Sequence, residues 1–277
     1  MTNKEIIALL NKDLEDEHGA IVQYLSHAYA IGEGEMSCEI EAIARDEMRH
    51  LDWLAEAIVD LGGTPSLTRG TMKMTGKTVP VWMGNNVKLE EGAIAAYTEH
   101  IRLIGNRKIK RLLKRILSDE KSHHGDFVHF VDKAKKEKMK DSRGNASDNV
   151  TKVLDWGIAH EYTVILQYLF HSYMAKDDHF KEEMQDQAIN EMQHLGWLAE
   201  KMIDKGGSPI IEHTKVDMAM KKPAMLKADI AIEKKVAAEY DRAAKEIGDG
   251  KVKKLLKRIR DNELYHIEVF NDLSKGK

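Results

Sequence analysis

Apolar residues recur at spacings of three and four through most of the chain, as in Leu51, Leu54, Ala55 and Ile58, which is the period of amphipathic helices. The pattern predicts eight helices, near residues 3–31, 36–61, 86–105 and 107–138, then 148–175, 179–205, 224–248 and 250–274. Gly62-Gly63 and Gly206-Gly207, each followed by a proline (Pro65, Pro209), supply stops after the second and sixth segments. Each stop opens a loop of roughly 20 residues, longer than an ordinary bundle turn and long enough to run the length of a bundle. The expected fold is all-α: two tandem four-helix bundles, each with a long crossover between its second and third helices. Residues 1–140 form the first bundle, the polar, glycine-containing stretch 141–148 a linker, and 149–277 the second.

The two halves repeat each other. At an offset of 144, Glu17, Gln23, Tyr24, Leu25, His27 and Tyr29 recur as Glu161, Gln167, Tyr168, Leu169, His171 and Tyr173, and Glu47, Met48, His50 and Trp53 as Glu191, Met192, His194 and Trp197. Further on the offset becomes 143, as one deletion in a loop produces, and Glu90, Tyr97, Glu120 and His123 recur as Glu233, Tyr240, Glu263 and His266.

Composition narrows the function classes. A formal net charge of -3 gives no positive field for a general nucleic-acid or anionic-membrane binder. The single cysteine, Cys38, excludes an internal disulfide and a four-cysteine metal site. With no long apolar run, no membrane partner is expected and a cytoplasmic protein is.

The candidate chemistry lies in Glu-x-x-His. On a helix this spacing puts a carboxylate and an imidazole on one face, a turn apart, where both reach one ion. Chance gives about one such pair with 25 Glu and 13 His, yet there are five. Glu15/His18 has no repeat counterpart and fits the accident. The other four are repeated: Glu47/His50 with Glu120/His123, and Glu191/His194 with Glu263/His266. A dinuclear site in a bundle also takes a carboxylate from each remaining helix. The repeat selects Glu17 over Glu15 and Asp16, because it returns as Glu161, and Glu90 over Glu91, because it returns as Glu233. Four carboxylates and two imidazoles per bundle balance two divalent cations and suit iron, or manganese, over thiolate-seeking metals. The bland alternative, solvated carboxylates on an ordinary bundle, does not account for twelve residues in register.

These residues resemble the ferritin-like superfamily, and within it bacterioferritin, over nearly all of both repeats. LNKDLEDEHGAIVQY, from Leu10 to Tyr24, is similar to a bacterioferritin first helix, Asp46-Glu-Met-Arg-His50 to its second-helix signature, and Asp229-Ile-Ala-Ile-Glu233 to its third helix. The resemblance implies two ferritin-like bundles, in which Glu47, Glu120, Glu191 and Glu263 bridge irons and Glu17, Glu90, Glu161 and Glu233 are terminal ligands. It also implies oxidation of Fe(II) by dioxygen or hydrogen peroxide, for iron detoxification or peroxide removal. Storage or scaffolding within a ferritin-like assembly and manganese-dependent peroxide disproportionation are the alternatives. Rubrerythrins, also similar, carry a four-cysteine electron-delivery domain that one cysteine cannot build, so electrons come from Fe(II) itself or an unidentified donor. A homo-oligomer is expected.

Met48 and Met192 match the methionine that ligates haem in bacterioferritin, with packing as the favoured alternative. Tyr24 and Tyr168 match a family tyrosine that can donate an electron. Trp53 and Trp197 read as packing before relay, and the basic runs Lys108–Arg115 and Lys251–Arg258 as solvated faces before a DNA contact. Finally, the residue before each bridging glutamate is Asp46 and Asp119 in the first repeat but Asn190 and Asn262 in the second. It lies about 100° from the ligand face, where it can reach a ligand histidine on a neighbouring helix.

Overall fold

The computed structural model describes residues 1–276 and contains eight helices and, among the described residues, no strand. They are α1 (Asn3–Ile31), α2 (Glu35–Asp60), α3 (Val79–Leu103), α4 (Arg107–Glu137), α5 (Asn149–Met174), α6 (Asp178–Asp204), α7 (Lys222–Glu246) and α8 (Gly250–Ser274). The chain divides into two compact units, Met1–Ser142 and Arg143–Lys277. The boundary lies within the polar stretch 141–148: Ser142 N bonds Ala30 O in the first unit, while Gly144 N bonds Gly207 O in the second. Among the described residues no helix is long and apolar enough to cross a membrane.

In the first unit α1 packs on α2 and α3 on α4, with α1 also against α3 and α2 against α4; the second unit repeats this with α5 to α8. Local chemistry sets the helix ends. Thr2 and Glu5 form a capping box at α1, Asp148 and Thr151 one at α5, and Asn106 and Asp249 cap α4 and α8. The structure starts α3 at Val79, seven residues before the position that periodicity suggests. Pro80 falls in the first helical turn, where its missing N–H leaves no bond unmade, and Trp82 and Met83 then bury completely.

The first crossover, 61–78, runs along α1. Asn11 Oδ1 accepts from Ser66 N (2.7 Å), Glu15 Oε1 from Ser66 Oγ (2.7 Å) and Gln23 Oε1 from Lys73 N (2.5 Å). Between these rungs Gly70 N bonds Glu15 O, and a Cβ on Gly70 would stand 2.6 Å from that same oxygen, so only glycine allows the approach. The second crossover is held likewise, with Thr214 N bonding Thr163 Oγ1 and Asp217 N bonding Gln167 Oε1. Covered by two helices and a crossover, α1 and α5 bury nearly their whole circumference over 17–24 and 160–168. This encloses Glu17 and Glu161. Apolar layers close one end of each bundle: Tyr24, Trp82, Phe127 and Phe130 in the first unit, Tyr168, Phe180, Met184 and Phe270 in the second.

Candidate metal centres

Each bundle gathers six of the twelve residues singled out by the repeat. In the first unit Glu17 comes from α1, Glu47 and His50 from α2, Glu90 from α3, and Glu120 and His123 from α4, all at most 4% exposed. Oxygen and nitrogen atoms of Glu17, Glu47, His50 and Glu120 lie within 4.8 Å of one another, and so do those of Glu47, Glu90, Glu120 and His123. The groups share Glu47 and Glu120, the arrangement two adjacent cations with two bridging carboxylates require. The second unit forms the same pair of groups, Glu161, Glu191, His194 and Glu263, then Glu191, Glu233, Glu263 and His266, sharing Glu191 and Glu263. Glu15 and His18 lie outside these groups, and Glu15 anchors the crossover instead.

All four imidazoles turn Nδ1 inward. His50 Nδ1 is 2.7 Å from Glu47 and 3.0 Å from Glu120, and His266 Nδ1 is 2.8 Å from Glu191 and 3.2 Å from Glu263. Ring centroids of the paired histidines are 5.9 Å apart in the first unit and 6.0 Å in the second. Burial, reinforced by neighbouring carboxylates, raises Glu47 to about 7 and pushes Glu90, Glu120 and Glu161 well above the carboxylate range. The same causes raise Glu233 to about 8. For Glu191 burial acts upward, but the His266 and His194 charges outweigh it and hold the group below its usual range. Burial works against the imidazolium form, yet the surrounding glutamates raise His123 to about 9 and His194 to about 12.

The donor set fits cations. Despite these short contacts, both Glu47 oxygens, Glu120 Oε1, Glu90 Oε2, His50 Nδ1 and His123 Nδ1 are buried without a hydrogen bond of normal geometry, and so are both Glu263 oxygens, Glu161 Oε2, Glu191 Oε1, Glu233 Oε2 and His266 Nδ1. A protein interior rarely leaves so many polar atoms unmatched in one place. Two divalent cations per bundle would satisfy them and offset four carboxylate charges.

Tyrosines bind the carboxylates that the two groups do not share. Tyr24 OH donates to Glu90 and Tyr168 OH to Glu233. Tyr97 OH donates to Glu17 and Tyr240 OH to Glu161. Burial and the adjoining acids push Tyr24, Tyr97 and Tyr240 well above the usual phenol range, so they keep their protons as donors. Tyr97 and Tyr240 recur in the sequence with no role that spacing assigns, and their recurrence is the one signal there of these bonds. Trp53 and Trp197 stand 5.8 Å and 5.5 Å (ring centroids) from His50 and His194. Met48 and Met192 are half-buried on α2 and α6. In the basic run of α4, Lys108, Arg111, Lys114 and Arg115 are exposed around buried Ile109 and Leu113, as a solvated helix face is.

This four-helix architecture with its buried glutamate and histidine groups agrees with what known proteins show. The family model of the ferritin-like domain matches twice, over residues 7–137 and 152–275, and the chain belongs to the ferritin family as two ferritin-like domains in tandem. It is similar to the bacterioferritin of Desulfovibrio desulfuricans, 34% identical over 125 residues, 43% of this chain and 70% of the relative. It is also similar to a bacterial ferritin of Paramagnetospirillum magnetotacticum, 34% identical over 101 residues, 35% of this chain and 62% of the relative. Among solved structures, the Desulfovibrio desulfuricans bacterioferritin, described with its diiron site in different catalytic states, aligns at 30% identity with a TM-score of 0.45, covering 48% of this chain and 82% of that one.

Proposed function

We propose that each unit is a dinuclear iron centre and that the chain oxidises Fe(II) with dioxygen or hydrogen peroxide, serving iron detoxification or peroxide removal. The observation that carries this reading is the pair of buried ligand groups sharing two glutamates, present twice in one chain. Membership of a family that includes bacterioferritins supports it.

Fe(II) is the substrate: two ions give up one electron each, and dioxygen takes both with two protons to give hydrogen peroxide, or peroxide takes both with two protons to give two waters. The protein supplies placement and charge. Glu47 and Glu120, or Glu191 and Glu263, hold the shared position; Glu17 and Glu90, or Glu161 and Glu233, close the ends. Each end carboxylate is held through its Oε1 by a tyrosine hydroxyl, which fixes its position at little reorganisation cost. The apolar layers keep bulk water from the charged atoms.

Anaerobic Fe(II) titration is expected to saturate at about four ions per chain, two per bundle. Glu47→Ala with Glu120→Ala should halve the capacity and leave the second unit oxidising Fe(II) when dioxygen or peroxide is added. Saturation of the intact protein at two ions or fewer, or Fe(II) oxidation no faster than in buffer, would refute the reading. Metal analysis of the protein as isolated separates iron from manganese, which the same oxygen and imidazole donors accept.

A further inference from the structure

The two centres share their ligands but not what lies behind them. In the first unit Asp119 Oδ2 lies 3.4 Å from Nε2 of His50, and Asp46 Oδ2 lies 3.4 Å from Nε2 of His123, so each carboxylate crosses between α2 and α4 to the outer face of a ligand imidazole. Asp119 also holds Arg115 (Nε–Oδ2 3.1 Å), and Asp46 pairs with Arg49. In the second unit the Asn262 amide takes the place beside His194 Nε2, at 2.9 Å, and Asn190 turns to Gln187 (3.5 Å). The amide atom placed there is Nδ2; with His194 Nδ1 directed at the glutamates, Nε2 carries the hydrogen, and the amide turned about its Cβ–Cγ bond offers Oδ1 to accept it.

The arginines follow the same difference. Arg258, the counterpart of Arg115, has no carboxylate at position 262 to hold it and stacks over Trp197, its guanidinium carbon 3.9 Å from the ring centroid. Arg49 is replaced by Gln193. Asp46, Arg49, Asp119 and Arg115 together are neutral, whereas Asn190, Gln193, Asn262 and Arg258 carry one positive charge. The extra buried carboxylate of the second unit, Asp229 where the first has Asn86, is taken up by His171 (2.9 Å) and Gln167 (2.8 Å).

We propose that the first unit binds divalent cations more tightly than the second, with Asp46 and Asp119 as the positioning residues that make the difference; this rests on the reading of both clusters as metal centres. A carboxylate accepting the outer N–H fixes the ring with Nδ1 free for metal and makes that nitrogen a stronger donor, while a neutral amide polarises it less. The positive excess in the second unit acts in the same direction. Changes at this distance from a metal alter affinity by about 10–100-fold.

The test uses Co(II), which does not turn over with dioxygen on its own and whose visible absorption reports occupancy. Glu191→Ala with Glu263→Ala leaves only the first centre, and Glu47→Ala with Glu120→Ala only the second. The dissociation constant of the first is expected to be smaller by about tenfold or more. Asp46→Asn with Asp119→Asn, introduced where only the first centre remains, should weaken it toward the second. Asn190→Asp with Asn262→Asp, where only the second remains, should tighten it and change Trp197 fluorescence as Arg258 leaves the ring. These exchanges are isosteric at partly exposed positions, so the bundles stay folded. Equal dissociation constants in the two single-centre proteins, or constants that neither exchange moves, overturn the inference while leaving the metal reading intact. No Co(II) absorption at either centre overturns both.

Discussion

At the scale of single residues, the metal-free clusters hold protons that a cation must displace. Glu47, raised to about 7 by burial and Glu17, Glu233, raised to about 8 by burial and Glu263, and His123, raised to about 9 by its glutamate partners against burial, all keep a proton at pH values where a free side chain of the same kind has lost it. Binding needs ionised carboxylates and unprotonated Nδ1 atoms, so protons are released on binding and affinity rises with pH between about 6 and 9. Co(II) affinity at pH 8 should exceed that at pH 6.5 by about 30-fold, as displacing one proton per ion over about 1.5 pH units requires. A weakly buffered titration with an indicator dye measures the release directly; pH-independent affinity without release would contradict it. All twelve residues that the two clusters gather were legible from one sequence, because the repeat separates Glu17 from Asp16 and Glu90 from Glu91 without any structure. The roles of Tyr97 and Tyr240 were not, since their partners lie 80 and 79 positions away on another helix and only packing brings them together.

Elements add what residues alone do not show. Periodicity located the helices but gave no path for the crossovers, which are fixed by side chains of α1 and α5 that bond loop backbone, an irregular ladder with no period to read. Nor did it show the tie between α1 and α3, where buried Asp13 meets His100 Nδ1 at 2.9 Å, at positions occupied by Gly157 and Ala243 in the second unit. Burial raises Asp13 to about 6, and the Asp13 hydrogen bond raises His100. Both groups therefore hold protons more tightly folded than unfolded: Asp13 takes up a proton on folding between 3.8 and about 6, and His100 from 6.5 up to its raised value. Proton uptake on folding means stability falls as pH rises through these windows. Urea unfolding at pH 5 and pH 8 should show the first unit losing more stability over that interval than Asp13→Ala with His100→Ala, whose first unit lacks this component. Leaving Asp13 without its partner, as in His100→Ala, should cost about 1–3 kcal/mol at pH 7, below the value for a fully buried pair because His100 is partly exposed. Identical pH slopes in the intact protein and the double variant would remove the pair from this role.

For the whole molecule, the tandem arrangement gives each unit its own fold and its own cluster, so that one can be read against the other. Each unit buries four carboxylates together, next to an apolar layer at one end of the bundle, an arrangement that costs stability without cations and gains it with them, because the unfolded chain offers no assembled site. A ligand at 100 times its dissociation constant stabilises the folded state by about 2.7 kcal/mol per site. Co(II) should therefore raise the unfolding temperature of both units in the intact protein. In Glu47→Ala with Glu120→Ala, one unfolding transition should stop responding while the other keeps its full shift, since the second unit owns a complete and separate ligand set. Calorimetry with and without Co(II) measures this. The inequivalence inferred from Asp46 and Asp119 adds an order to the outcome: at limiting Co(II) the transition lost in that variant is the one that moves first in the intact protein. A Co(II) shift undiminished in the variant, whether in one transition or two, would defeat the claim of separate centres.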